Sequence, residues 1–153
     1  MDPLELKIPP PAVALITGVL MWLISRVIPT LDFAFPLRNW FAIAFAAVGV
    51  AIAIAGVATF RRAHTTVNPT TPEASSSLVN WGIYSITRNP MYLGLLLVLT
   101  GWAIFLSNAI AFLFLPAFVL YLNRFQITLE ERALTSLFGQ EFVTYQSRVR
   151  RWL

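Results

Sequence analysis

The sequence predicts an all-α integral membrane protein with about four transmembrane helices. Of its 153 residues, 58% are hydrophobic and only 12% are charged, whereas a soluble domain carries roughly 25% charged residues. The apolar residues gather in long uncharged runs, and prolines and short polar loops separate these runs. The basic residues flank the runs, so the net charge of +4 fits membrane topology and predicts no nucleic-acid partner. We expect one domain over residues 1–153.

The first two spans are predicted at residues 12–28 and 40–60, with prolines at 9–11 preparing the first helix start. The second span has about twenty residues without a charge, enough to cross the hydrocarbon layer. Small residues recur along it at alternating steps of four and three, which places them on one helix face: Ala42, Ala46, Gly49, Ala53 and Gly56. Such a face lets another helix approach closely, and it also permits a homodimer.

A helical hairpin is predicted from two further spans, at residues 91–106 and 109–122. Ser107 and Asn108 are expected to form the tight turn between them. Pro116 lies inside the returning helix, where a proline removes a backbone hydrogen bond and favours a kink. Because the two helices of a hairpin run in opposite directions, the segments before and after it emerge on the same side of the membrane.

The chain after the hairpin is predicted to remain helical to Leu137, with Gly139 as the terminator. Residues 140–153 are expected to form a short amphipathic helix at the membrane interface. Its apolar side would carry Phe142, Tyr145, Val149 and Trp152. Its arginines would reach lipid phosphates, namely Arg148, Arg150 and Arg151.

The distribution of basic residues predicts the orientation. With the N-terminus inside, only Arg26 and Arg38 of the 11 lysines and arginines lie outside. The others lie inside: Lys7, Arg61, Arg62, Arg88, Arg124, Arg132, Arg148, Arg150 and Arg151. This positive-inside bias predicts that both termini are cytoplasmic. The polar stretch 65–81 joins two spans on this side, either as a flexible linker or as an ordered lid.

Two segments concentrate the hydrogen-bonding residues at the inner rim. The first, Gly82–Gly94, reads GIYSITRNPMYLG and places an arginine, an amide and two tyrosines against a span. The second, Asn123–Glu131, ends in two adjacent carboxylates. Residues seven apart share a helix face, which predicts that Asn123 lies in line with Glu130 and Arg124 in line with Glu131.

Paired carboxylates are not needed to anchor a membrane helix, and here they favour a binding site for an amphipathic cationic ligand. An ammonium or sulfonium group would find negative charge at Glu130 and Glu131, and a ligand carboxylate would find Arg88. The alternative is that both glutamates are solvated on a surface helix and pair with Arg124 or Arg132.

Several other chemistries lack their residues. The chain has no cysteine and a single histidine, His64, so neither a metal site nor a Ser-His-Asp triad is predicted. It has no G-x-G-x-x-G or Walker-type loop. No acidic residue lies deep in a span, which argues against a proton-coupled transporter. A small multi-span transporter or a structural membrane subunit remain the non-enzymatic alternatives.

Three features in this order resemble the isoprenylcysteine carboxyl methyltransferase family, which is related to the phospholipid methyltransferases. They are GIYSITRNPMYLG, the helical hairpin and EERALTSLFGQEFVTYQSRV. The resemblance covers roughly Arg61 to the C-terminus and is closest to the short prokaryotic branch, which implies a prokaryotic inner membrane. It implies a pocket for S-adenosyl-L-methionine that opens to the cytosol, beside a lipid-facing tunnel.

The resemblance also implies roles for single residues. Glu130 and Arg88 are expected to be catalytic, and Asn123 and Arg124 to bind substrate. Glu131 is expected to bind the cofactor or to order Arg124. The expected cofactor-binding residues are Tyr84, Arg88, Asn89, Pro90, Tyr92, Leu93, Glu130, Glu131 and Tyr145.

Two departures from the family pattern bear on the substrate. Asn89 replaces a histidine, and Gln126 stands where the eukaryotic branch has an arginine. The expected activity is carboxyl O-methyl transfer to a lipophilic or lipidated substrate, with membrane lipids as the surroundings. A phospholipid amine and a thiol are the alternative acceptors.

Overall fold

The computed structural model describes residues 8–33, 36–63 and 77–153. This part of the chain is all-helical, with two isolated β-bridges. Its helices are α1 (Pro10–Val27), α2 (Arg38–Arg62), α3 (Pro90–Leu106), α4 (Ala109–Leu122), α5 (Thr128–Phe138) and α6 (Gln140–Arg148). The predicted start at the proline cluster, the hairpin and the four apolar helices are confirmed to within two residues at each end.

Three helices are long and apolar enough to cross a membrane: α1, α2 and the continuous helix Ala109–Phe138. The helix α3 is equally apolar but has only 17 residues. The chain is therefore an integral membrane protein with three candidate spans among the described residues. His64, residues 65–76 of the predicted linker or lid, and Lys7 lie outside the described ranges.

The small-residue face of α2 packs against α3, as its spacing predicted. A Cβ on Gly49 would lie 2.5 Å from the Gly94 carbonyl oxygen, and one on Gly101 would lie 2.6 Å from the Ala42 carbonyl oxygen. The two helices are therefore in backbone contact, which only glycine permits at these positions. α3 covers this face, and the homodimer that the face was expected to permit stays a prediction.

The predicted tight turn at Ser107 and Asn108 is confirmed, and it organises one end of the bundle. Ser107 adopts φ +51°. The Asn108 side chain accepts a hydrogen bond from Ile110 N (3.0 Å) and donates to Ile28 O (2.9 Å) and Asp32 Oδ1 (2.7 Å). We call residues 28–33 and 107–110 the turn rim.

The helix after the hairpin continues through Phe138 and ends at Gly139, which has φ +53°. This confirms the predicted continuation, but the residues Asn123–Ile127 form a π-helical turn that the prediction missed. A π turn widens the helix and shifts the following residues around its axis. The expected alignment of Asn123 with Glu130 by α-helical periodicity is therefore wrong.

The helix predicted over residues 140–153 is wrong beyond Arg148. Here α6 ends, and Val149 adopts an extended conformation (φ −121°, ψ 131°). Phe142, Tyr145 and Val149 do form one buried cluster, as expected. Trp152, however, packs against the main core between the helices. The last residues therefore run as an extended strap that returns to the helical bundle.

Candidate functional site

The loop 82–89 meets the helix α5 and the C-terminal residues at the end of the bundle opposite the turn rim. We call residues 82–92, 123–131 and 145–152 the site rim. The Tyr92 hydroxyl donates a hydrogen bond to Glu130 Oε1, across 38 residues of sequence. Arg88 Nη2 lies 3.3 Å from Glu131 Oε1. Both glutamates therefore face the loop instead of standing on a solvated helix surface.

The backbone of this loop is held in place from several sides. Gly82 has φ +62° and opens a 3₁₀ turn through Ser85. The Tyr145 hydroxyl donates to the Tyr84 carbonyl oxygen at 2.7 Å. Arg88 N donates to Arg150 O at 2.9 Å, beside a bridge between Thr87 and Arg150. These contacts position the Arg88 side chain before α3 begins.

Glu130 is held by neutral donors. Its Oε1 accepts hydrogen bonds from the Tyr92 hydroxyl and from Gln126 Nε2, the latter at 2.6 Å. Tyr92 and Gln126 are 5% and 2% exposed. Hydrogen bonds from neutral donors fix a carboxylate without cancelling its charge. Glu130 is therefore fixed in place facing the loop, by donors that carry no charge.

Glu131 is held by cations instead. Arg151 binds it with two prongs, Nε to Oε1 at 2.9 Å and Nη2 to Oε2 at 2.6 Å. Arg88 adds its contact to the same Oε1. This group of Glu131, Arg88 and Arg151 carries two positive charges and one negative charge. The hydrogen bond to Glu131 raises the pKa of Arg151, so its guanidinium stays charged.

Three buried donors at the site find no hydrogen-bond partner among the described residues: Arg88 Nε, Arg88 Nη1 and the Tyr84 hydroxyl. Burial lowers the pKa of Arg88, and the charge of Glu131 opposes that shift. Burial raises the pKa of Tyr84, and Tyr145 and Glu130 add to the effect, so this hydroxyl keeps its proton. Buried donors without partners are rare in native proteins, so these three are candidate contacts for a ligand. An anionic oxygen fits these donors.

The remaining predicted cofactor residues lie around the same rim. Asn89 Nδ2 donates to Arg151 O at 3.0 Å, so its amide ties the loop to the C-terminal strap. Pro90 and Leu93 are buried at the start of α3. Tyr145 is buried with its hydroxyl on the Tyr84 carbonyl oxygen. The site is thus supported by packing and loop contacts of Asn89, Pro90, Leu93 and Tyr145. The side chains available to a ligand are those of Arg88 and Glu130.

The two predicted substrate residues lie on the π turn. Asn123 Oδ1 accepts a hydrogen bond from Trp152 Nε1 at 3.2 Å. Arg124 lies with its guanidinium 5.7 Å from the Phe125 ring centroid. Glu131 was expected to bind the cofactor or to order Arg124, and within the described residues it forms ion pairs with Arg88 and Arg151.

Sequence reasoning missed two residues of the site. Arg151 was predicted to reach lipid phosphates and instead binds Glu131. Gln126 was noted only as a departure, although it holds Glu130. The spacing of Gln126 and Glu130, four residues apart on one helix, is a signal that was present in the sequence. Nothing in the sequence points from Arg151 to Glu131.

The fold and the site together define a small helical membrane protein with a charged ligand site at one end of its bundle. The phospholipid methyltransferase family model, PEMT, matches residues 37–141, and the chain belongs to this family. Methyltransferases of this family use S-adenosyl-L-methionine as methyl donor. The chain is therefore a membrane methyltransferase by family.

Two known proteins are similar to parts of this chain. An uncharacterized protein of Haemophilus influenzae is 49% identical over 63 residues, which are 41% of this chain and 100% of that protein. Protein-S-isoprenylcysteine O-methyltransferase B of Arabidopsis thaliana is 36% identical over 80 residues. That match covers 50% of this chain but only 39% of the plant protein.

Proposed function

We propose that this protein transfers a methyl group from S-adenosyl-L-methionine to a lipophilic acceptor at the cytoplasmic face of the membrane. The observation that carries the proposal is the pairing of opposite charges at the site rim. Arg88 has two buried donors without partners among the described residues. Glu130 has a carboxylate that neutral donors hold in place. Family membership favours an enzyme over a transporter or a structural subunit.

The methyl donor fits both groups. Its amino-acid carboxylate suits the Arg88 donors, because guanidinium–carboxylate hydrogen bonds are among the strongest in proteins. Its sulfonium suits the negative charge of Glu130. The Tyr84 hydroxyl supplies a further donor to the bound ligand. When bound, the cofactor supplies an activated methyl group, and the residues of the site orient it and exclude water.

The geometry favours an amine as the acceptor. Arg88 and Arg151 both pair with Glu131. A carboxylate on the acceptor would therefore lie near the carboxyl group of Glu130, which would repel it when ionised. An amine would be attracted by that charge, and Glu130 lies where it can accept the proton that an ammonium must lose before attack. A phospholipid amine also agrees with the name of the family.

Carboxyl O-methyl transfer is the second candidate, and similarity to the isoprenylcysteine methyltransferase of Arabidopsis thaliana favours it. An ionised carboxylate needs no base, so Glu130 would then serve the cofactor alone. Transfer of labelled methyl to an amine phospholipid, compared with transfer to a prenylated cysteine, distinguishes the two acceptors.

A groove in the surface of the bundle supports a lipophilic acceptor. Its volume is about 990 Å³, and it runs along α1, α2 and α3. Its lining on α3 begins at Leu95, one turn from Tyr92, and continues to Phe105. The side chains of Leu15 and Ile43 in this lining are 70% and 61% exposed. An acyl chain in this groove would keep the apolar surroundings that it has in the bilayer.

For the membrane arrangement we propose four spans, with α3 as the fourth. Its 17 residues reach about 25 Å, slightly less than the hydrocarbon thickness of about 30 Å. It packs against α2 in backbone contact, so it crosses with its neighbours. With the site rim on the cytoplasmic side, the bias of basic residues is satisfied.

Calorimetry in detergent with S-adenosyl-L-methionine tests the proposed site. Arg88→Ala and Glu130→Ala are each expected to weaken binding at least about tenfold, the size of one lost charge-assisted hydrogen bond. Arg132→Ala and Glu141→Ala remove the same charges from exposed positions and should bind like the wild type. Wild-type affinity in both site variants would overturn the assignment.

A further inference from the structure

The last residues of the chain form a strap across the site rim. We define the strap as residues 149–152. The Arg150 carbonyl oxygen accepts a hydrogen bond from Arg88 N at 2.9 Å. The Arg151 carbonyl oxygen accepts two, from Thr87 Oγ1 at 3.1 Å and from Asn89 Nδ2 at 3.0 Å. Trp152 Nε1 fixes its far end on the π turn. The strap thus has backbone anchors that do not involve the Arg151 side chain.

The Arg151 side chain reaches from this anchored backbone to Glu131. It is the outer of the two cations on that carboxylate, since its side chain is 34% exposed and that of Arg88 is 13% exposed. It occupies both carboxylate oxygens, whereas Arg88 makes one longer contact at 3.3 Å. Arg151 therefore satisfies Glu131 almost alone.

Because Arg151 makes most of the contacts to Glu131, the Arg88 guanidinium keeps donors for another ligand. A guanidinium beside an unsatisfied carboxylate forms a two-pronged pair with it. Here both Glu131 oxygens already accept hydrogen bonds from Arg151. The Arg88 Nε and Nη1 atoms have no partner among the described residues.

We infer that Arg151 is a positioning residue, which saturates Glu131 so that the donors of Arg88 remain directed to the carboxylate of the methyl donor. It acts through Glu131 and touches neither the methyl donor nor the acceptor. The group of two arginines and one glutamate keeps a net positive charge, and one bound carboxylate neutralises it. This inference rests on the proposed function, because it concerns how that function's cofactor is held.

Arg151→Met tests the inference by calorimetry with S-adenosyl-L-methionine. Without Arg151, Glu131 captures Arg88, and the affinity is expected to fall about tenfold. Arg132→Met is the matched control, because it removes the same charge from an exposed residue outside the strap and the site rim. It should bind like the wild type.

The double variant Arg151→Met/Glu131→Gln separates positioning from simple stabilisation. A neutral amide binds Arg88 more weakly than a carboxylate does, so most of the lost affinity should return. Loss of a purely structural contact would not be repaired by a second substitution at its partner. Arg151→Lys keeps the charge but loses the two-pronged contact, so it should give an intermediate affinity. This variant replaces the methionine variant in the test if the methionine variant does not fold.

The outcomes distinguish the two proposals. If the wild type binds no S-adenosyl-L-methionine, the proposed function fails. If the wild type binds, and Arg151→Met binds equally well or the double variant recovers nothing, only the role of Arg151 is overturned. If Arg151→Met does not fold, wild-type affinity in Arg151→Lys overturns that role in the same way.

Discussion

The turn rim and the site rim both place buried polar groups at an end of the helical bundle, but they treat them differently. At the turn rim, Asn108 is fully buried and uses both amide protons and its oxygen on Ile28, Asp32 and Ile110. At the site rim, Arg88 and Tyr84 keep three buried donors without a partner in the described part of the chain. Complete pairing stabilises a fold, and incomplete pairing leaves donors for a ligand.

The carboxylates show the same contrast. Asp32 is exposed, and its Oδ1 accepts a hydrogen bond from the neutral amide of Asn108. Glu131 is closed as well, by two cations. Glu130 accepts hydrogen bonds from two neutral donors on one oxygen, in contrast to the two cations on Glu131. Burial alone therefore does not distinguish the functional residues. The charge of the hydrogen-bond partners, cations on Glu131 and neutral groups on Glu130, does distinguish them.

The largest effect on stability is expected from Asn108→Leu at the turn rim. Leucine is similar in size but leaves the Ile28 carbonyl and the Asp32 carboxylate without their donor, which should cost about 3 kcal/mol in the free energy of unfolding. Denaturant titration in detergent measures it. Asn80→Leu, at an exposed position, is the control. A fall in cofactor affinity of the folded Asn108→Leu protein would break the contrast between the rims.

A smaller effect, on turnover, is expected from Gln126→Leu at the site rim. Glu130 then loses one of the two donors that fix its carboxylate, and misplacing a group at the reacting centre should lower kcat about tenfold. Steady-state methyl transfer in lipid vesicles measures this. Gln140→Leu makes the same change at an exposed position and should leave kcat unaltered. An unchanged kcat in Gln126→Leu would show that Glu130 is positioned without this amide.

The smallest effect is expected from Tyr145→Phe, which tests a closed contact within the site rim. The change removes the hydrogen bond to the Tyr84 carbonyl oxygen and should cost about 1 kcal/mol in the free energy of unfolding. Ser147→Ala removes an exposed hydroxyl that bonds only within its own helix and should cost less. Equal losses in the two variants would mean that Tyr145 does not hold the loop.

Much of the fold followed from local patterns in the sequence. Apolar runs bounded by proline and glycine gave the helix limits, and the spacing from Ala42 to Gly56 predicted the face that α3 covers. The turn at Ser107 and Asn108 is also a local feature. These predictions succeed because each depends on the residues of one continuous stretch of the chain.

The site was predictable only in part, because its contacts depend on backbone geometry and on distant residues. The π turn at Asn123–Ile127 has no simple signature in hydrophobic periodicity. Asn123 was expected to lie in line with Glu130, and its side chain instead bonds to Trp152. Arg151 is similar in sequence context to Arg148 and Arg150. Only the extended strap after α6 brings Arg151, 20 residues along the chain, onto Glu131.

The most direct test is a crystal structure of the protein with S-adenosyl-L-methionine bound. It would show whether the methyl donor lies between the loop before α3 and the helix α5. We expect the donor's amino-acid carboxylate within hydrogen-bonding distance of Arg88 Nε or Nη1, and its sulfonium on the side of Glu130. A donor bound elsewhere, with both Arg88 atoms still without a partner, would contradict the assignment of the site.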